Sequence, residues 1–199
     1  MRFETPEGGT PIGDAEGLLL PETSTMADLS AAEAENILRA SGKHLGRRHS
    51  PLRAWLTDDL IRALHRDMFD AVWEWAGTYR TIELNIGVAP HRIRDEIGRA
   101  CADAVFWDAQ KENPLPVLDR AVRIHHRLAW IHPFRNGNGR HARLTADVYL
   151  YAHGHPLPVW PSGDIGRKGG ARDGYLAALK DGDQGNFSPL ADFTRRYLA

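Results

Sequence analysis

His132-Pro133-Phe134-Arg135-Asn136-Gly137-Asn138-Gly139-Arg140-His141-Ala142-Arg143 is the stretch that decides how this chain is organised. Before it, Val117, Ala121, Ile124, Leu128 and Ile131 recur at helical spacing and form one continuous apolar stripe. That helix runs directly into His132-Pro133, where proline disfavours a helical conformation at the residue before it. After the Gly-Asn-Gly turn a second helix is expected, with Leu144, Val148 and Tyr151 or Ala152 on its apolar face and Gly154 at its end. The stretch therefore reads as a sharp loop between two core helices.

The loop has the composition of an anion site. Gly137 and Gly139 remove side chains where backbone must come close to something. Successive backbone N–H groups in such a turn can converge on an anion, and the start of the next helix adds unpaired N–H groups and a positive dipole end. Arg140 and Arg143 are three apart and are expected to share a helix face, where arginine forks match phosphate oxygens. His132 stands at the rim, and an imidazole is suited to taking a proton from a hydroxyl near neutral pH. Phe134 is expected to point inward as the loop's anchor. Together these residues point to phosphoryl or nucleotidyl transfer onto a hydroxyl.

Outward from the loop, further helices are expected. One runs through Ala31–Arg39 with Asp28 or Ser30 as its cap, and one starts at Thr57-Asp58 with Leu60, Ile61, Leu64, Met68 and Val72 at helical spacing. Others cover Ile93 or Arg94 to Gln110, Ala171–Lys180 and Pro189–Tyr197. Residues 79–92 differ: Thr81, Ile82, Leu84, Ile86 and Val88 favour strands, so a short β-hairpin flap is expected there. The fold class is mainly α, a single helical domain with one small hairpin. Residues 1–54 would form an N-terminal extension with one helix packed on the core, and residues 55–199 the domain itself.

The 199 residues are 42% hydrophobic and 26% charged, with a formal net charge of -1, the balance of a soluble globular protein. That charge argues against a domain held to nucleic acid mainly by its overall electrostatics. No apolar run approaches the length of a membrane span and the start lacks signal-peptide character, so a cytoplasmic setting is expected. The single cysteine, Cys101, reads as a small buried hydrophobe. His125, His126, His132 and His141 fit no familiar zinc spacing and are assigned packing or surface roles apart from His132. Trp73, Trp75 and Trp107 read as core or rim of core.

The twelve-residue run resembles the motif of the Fic family (Fic/DOC), His-x-Phe-x-(Asp or Glu)-Gly-Asn-Gly-Arg-x-x-Arg, at His132, Phe134, Gly137, Asn138, Gly139, Arg140 and Arg143. Including Asp14-Ala15-Glu16-Gly17-Leu18-Leu19, the chain is similar to the subgroup called mobile mystery protein B. The resemblance implies a Fic-type nucleotidyltransferase that moves the nucleoside monophosphate of ATP, or another NTP, onto a protein Ser, Thr or Tyr, with Mg2+. It implies His132 as general base, Gly137, Asn138 and Gly139 as the anion hole, Arg140 on phosphate and Arg143 on the γ-phosphate. The flap residues Ile82, Leu84 and Ile86 would hold the target protein as an added strand. Asn136 stands where the family has its acidic magnesium ligand and is a neutral replacement for it. Glu35-Asn36 resembles the end of an inhibitory pattern, Ser/Thr, three residues, Glu, then Gly or Asn, with Ala31 at the Ser/Thr position. Glu35 is either that inhibitory residue or an ordinary surface glutamate. The Gly-Asn-Gly-Arg turn argues against the kinase-like branch of the family. The alternative class is a weakly active or non-catalytic, toxin-like interaction protein. The resemblance also implies a small helix-turn-helix regulator of antitoxin type and a homodimer.

Overall fold

Thr25 opens the first helix, α1 (Met26–Leu45): its hydroxyl accepts from the Asp28 N–H at 3.1 Å and the Asp28 carboxylate accepts from the Thr25 N–H at 3.2 Å. The cap is thus Thr25, three residues ahead of Asp28, which closes the box from inside the helix. α2 (Asp58–Phe69) begins where expected, with the Thr57 hydroxyl accepting from Leu60 N–H. A single 3-10 turn, Pro90–Arg92, leads into α3 (Ile93–Ala109). Then come α4 (Val117–Ile131), α5 (Asn138–Ala152), α6 (Ala171–Asp183) and α7 (Ser188–Arg195). The computed structural model describes residues 16–20, 25–46, 56–112, 114–161 and 170–199. Asp14-Ala15 and the expected boundary at residues 54 and 55 lie outside the described residues.

α4 and α5 pack against each other at the centre. α3 and α7 cover α4, α6 packs on α4 and α7, and α1 and α2 close over α5. The apolar stripe of α4 is buried as its spacing requires: Ala121, Ile124, Leu128 and Ile131 meet Ile61, Ile97, Phe134 and Tyr149 in one core. A second core lies between α1, α2 and α5, built from Leu29, Leu64, Met68, Phe69, Trp73, Leu144 and Val148. The motif loop leaves α4 and enters α5 between these two cores. Cys101 is half-buried against the first of them.

The described β structure consists of isolated bridges, Leu18 with Trp73 and Pro158 with Leu198. The expected hairpin is not formed: residues 78–89 run as irregular chain with bends at 82 and 85–88. Its two ends are sewn to the motif loop, Arg80 N–H to Pro133 O at 2.9 Å and Val88 N–H to Ile131 O at 3.2 Å. In place of a strand ladder, the buried Arg80 guanidinium spans the gap. It donates through Nη1 to Ile82 O at 2.9 Å, through Nη2 to Val88 O, and through Nε to His132 O at 2.7 Å. Strand-forming side chains favour a pleated surface only where a partner strand supplies the other half.

One amide of α1 holds the end of α2. Buried Asn36 donates to Asp67 O at 2.6 Å and accepts from Ala71 N–H at 2.8 Å, at the end of α2. Asn36→Ala would leave both backbone groups unpaired in the interior, so a loss of about 2–3 kcal/mol is expected. Urea unfolding of the two proteins measures it.

Candidate active site

The loop His132–Gly137 is shaped from within. Asn138, buried, clasps Phe134 with both ends of its amide: Oδ1 accepts from Phe134 N–H at 2.8 Å and Nδ2 donates to Phe134 O at 2.8 Å. Phe134 is fully buried, stacked on His65 at 3.6 Å between ring centroids. His65, which sequence reasoning passed over, fixes the loop a second time. Its Nδ1 accepts from Gly77 N–H at 2.9 Å, so the proton is on Nε2, which donates to Asn136 O at 3.0 Å. Burial, with His141 nearby, holds the His65 pKa well below the ordinary value and keeps that tautomer neutral.

The two glycines of the turn have different reasons. Gly137 has φ +75°, and a Cβ there would lie 2.4 Å from the Phe69 ring, so the fold itself demands glycine. Gly139 meets no such constraint: a Cβ would approach only Arg143 Nη1, at 3.8 Å. The space over Gly139 is open at the N-terminus of α5, where the first N–H groups of a helix have no acceptor of their own. That is the geometry of an anion site. The N–H of Gly137 is committed elsewhere, donating to Asn136 Oδ1 at 2.7 Å, and the Asn138 side chain is turned inward to Phe134. The donors offered to an anion are therefore the backbone N–H groups of Asn138, Gly139 and Arg140.

His132 caps α4 in the left-handed region, φ 53° and ψ 58°, the one non-glycine residue with positive φ among the described residues. Such a conformation is costly for a side chain with a Cβ and marks functional positions. Its Nδ1 lies 3.2 Å from Ala129 O. Burial pushes its pKa down to about 4, with the Arg80 charge adding to the effect and the Ala129 contact opposing it. A carbonyl only accepts, so the neutral ring carries its proton on Nδ1 and its lone pair on Nε2.

Arg140 and Arg143 do not converge. Arg140 turns toward α1 and α2: its guanidinium lies over the Phe69 ring, 4.9 Å from the centroid, and pairs with Glu33 at 2.6 Å. Glu33 also accepts from Trp73 Nε1 at 2.7 Å. Arg143 turns the other way and lies over the Tyr175 ring of α6, 5.4 Å from its centroid. Residues three apart share a helix face, but long side chains follow their partners. On α1 the inward glutamate is Glu33; Glu35, read from the sequence as either an inhibitory residue or an ordinary surface glutamate, is exposed. The Glu33 signal was available in the spacing Leu29, Glu33, Asn36, Ala40, which is one buried face of α1.

In the flap segment Ile82 and Ile86 are exposed and Leu84 is half-buried. Asn136 is half-buried with its amide oxygen already accepting from Gly137. Among the described residues no group of three or more His, Cys, Asp or Glu could hold a metal ion. His125 and His126 bond instead to Tyr175 and Asp183. Near the loop, Arg135 lies 3.5 Å from Glu16.

The site thus brings together a histidine in a strained left-handed cap, an open helix N-terminus and an arginine three residues into that helix. The sequence profile described as Fic/DOC family matches residues 55–150. A probable protein adenylyltransferase of Sinorhizobium fredii is 38% identical over 143 residues, covering 69% of this chain and 70% of that one. The protein adenylyltransferase fic-1 of Caenorhabditis briggsae is 27% identical over 145 residues, covering 70% of this chain but 26% of that protein, so the chain spans about a quarter of its length. The structure of BepC from Bartonella tribocorum, with bound AMPPNP, superposes with a TM-score of 0.65 at 19% identity, over 89% of both chains. The chain belongs to the Fic/DOC family and has its fold.

Gly87 packs against the histidine from the flap side. Its φ is +100°, and a Cβ there would stand 2.6 Å from His132 Cβ and 2.8 Å from Arg80 Nη2. Gly87→Ala would displace the imidazole by a fraction of an ångström to an ångström. The His132 ring resonances are expected to shift in a 1H–15N spectrum, while the far-ultraviolet circular dichroism spectrum stays unchanged; unmoved resonances count against the close approach.

Proposed function

We propose that the protein transfers the nucleoside monophosphate part of a nucleoside triphosphate, ATP in the first instance, onto a Ser, Thr or Tyr hydroxyl of another protein. The observation that carries this reading is His132, buried in a left-handed cap beside the open start of α5 with its proton held on Nδ1. On this reading His132 Nε2 takes the hydroxyl proton as the oxygen attacks the α-phosphorus, the bond from that phosphorus to the bridging oxygen breaks, and pyrophosphate leaves. Neutrality at pH 7 follows from the lowered pKa, and the negative charge of bound phosphates raises it toward the range where proton transfer is efficient. The N–H groups of Asn138, Gly139 and Arg140 would hold phosphate oxygens, and Arg143 the terminal phosphate. The names of the relatives, adenylyltransferases in both cases, support adenine as the base.

Magnesium has no carboxylate in this loop. Asn136 offers one neutral oxygen, already bonded to Gly137 N–H, so the residues present do not form a protein metal site, and Mg2+ would arrive on the nucleotide, held by phosphate oxygens and water. Ile82 and Ile86, exposed beside the loop, are proposed to face the target protein. Self-inhibition, if α1 supplies it, would act through Glu33 on Arg140 and not through Glu35. Membership of the mobile mystery protein B subgroup, a small helix-turn-helix regulator of antitoxin type, a homodimer and a cytoplasmic setting accompany this reading as proposals.

The test is incubation with α-labelled ATP, Mg2+ and a lysate. Label should enter a protein band with the wild type and be absent with His132→Ala; label that persists in His132→Ala refutes the reading. Asn136→Asp should lower the Mg2+ concentration for half-maximal transfer by about tenfold, the equivalent of about 1.4 kcal/mol from one added charge contact. A metal titration of the transfer rate reads it directly.

A further inference from the structure

Where the flap segment runs through the turn Pro90–Arg92 into α3, a buried carboxylate gathers three arginines that the transfer chemistry above does not use. Glu96 of α3 is 2% exposed. Its Oε1 accepts from Arg92 Nη2 at 2.8 Å and from Arg99 Nη1 at 3.2 Å, and its Oε2 accepts from Arg127 Nη2 of α4 at 3.0 Å. The Arg127 guanidinium also lies over the ring of Trp130, 5.1 Å from its centroid, and Trp130 is 36% exposed. The side chains of Arg92 and Arg99 are 52% and 65% exposed. Among the described residues no second carboxylate comes within ion-pairing distance of the three. The exposed neighbours Arg94 and Asp95 balance each other in charge.

One arginine would balance one buried carboxylate. Three leave a surplus of two positive charges at one place on a chain whose net charge is -1. A guanidinium has five N–H donors, and Glu96 takes one from each. The bonds to Glu96 and the Trp130 ring hold long side chains that would otherwise lose rotamer freedom on binding. An arginine over a tryptophan keeps its charge and adds an aromatic surface, and these two residue types anchor many protein interfaces. Carboxylates match such forks in two-point geometry. The position matters as much as the charge. Arg92 lies four residues beyond Val88, whose N–H bonds Ile131 O at 3.2 Å, and Ile131 stands between Trp130 and His132 in the chain. A target chain laid along Ile82 and Ile86 with a hydroxyl at His132 borders this cluster.

We infer that Arg92, Arg99, Arg127 and Trp130 form a docking surface for an acidic segment of the protein that receives the nucleotide, so that hydroxyls with Asp or Glu nearby in the target chain are preferred. This rests on the reading of the protein as a transferase acting on another protein, but the surface can be examined by binding alone. Acetylated hexaglutamate serves as the probe and hexalysine as its control. Arg92→Gln combined with Arg99→Gln removes two charges and keeps polar side chains beside Glu96. Glu96→Gln removes the opposing charge and keeps the shape.

Binding is followed by the Trp130 indole N–H resonance, identified by its loss in Trp130→Phe. Hexaglutamate should move it and hexalysine should not. The Kd for hexaglutamate should rise about tenfold in the double variant, the size of two exposed charge contacts, with Tm within a few degrees, and fall about threefold in Glu96→Gln. An indole unmoved by hexaglutamate, an equal response to hexalysine, or an unchanged Kd in the double variant overturns the inference. In the assay with α-labelled ATP and lysate, hexaglutamate should suppress labelling by the wild type and lose most of that effect on the double variant. Binding without such competition overturns the assignment to the target protein. Absence of label with the wild type defeats the transferase reading instead, and the binding titration then judges the docking surface separately.

Discussion

The amide of Asn138 substitutes for a missing piece of secondary structure. Between α4 and α5 the chain reverses in six residues with no helix and no strand to absorb its polar groups, and both backbone groups of Phe134 would face a dry interior. Asn138 accepts from one and donates to the other. A buried backbone group left without a partner costs as much as a lost hydrogen bond or more. With Phe134 clasped, its ring stays on His65, His65 holds the Asn136 carbonyl, and the turn at Gly137 closes over Phe69. The direction of His132 and the open space over Gly139 are consequences of that chain of contacts.

The charges around the loop are separated by role. The histidines near it, His65, His125, His132 and His141, are all pushed below the ordinary pKa first by burial. Each remains a neutral hydrogen-bonding group whose tautomer is selected by its neighbours. The cations take the opposite part. Arg80 is buried and donates to three carbonyls, Arg140 is paired with Glu33, and Arg143 lies on a tyrosine. Neutral imidazoles set geometry in the interior, where a charge would be costly; the one guanidinium of this group that is buried, Arg80, is met by three carbonyls.

Arg80 shows how one side chain can stand in for a sheet. Residues 78–89 have the β-branched composition of strands but, among the described residues, no neighbouring strand to pair with. The segment is held instead through its ends, which bond to Pro133 and Ile131, and through the carbonyls of Ile82 and Val88, which bond to a single guanidinium. The same group holds the carbonyl of His132, so the segment beside the site and the residue at its centre share one anchor.

Helical periodicity was enough to find α2, α4 and α5 and to place the loop between them, because burial of an apolar stripe at that spacing is a local property of the chain. The residue types in the loop were enough to indicate phosphate chemistry. The cap of α1 was missed by three residues because Thr25 and Asp28 are equivalent signals until their bonds are seen. The hairpin was misread because strand propensity describes half of a pair. Arg80, His65 and Glu33 meet His132, Asn136 and Arg140 from 52, 71 and 107 residues away. The sequence by itself determined the family motif and the helices that carry it. Only tertiary structure decided which glutamate meets which arginine, which ring nitrogen keeps the proton and where each guanidinium points, because those choices depend on side chains brought together by packing and not by spacing along the chain.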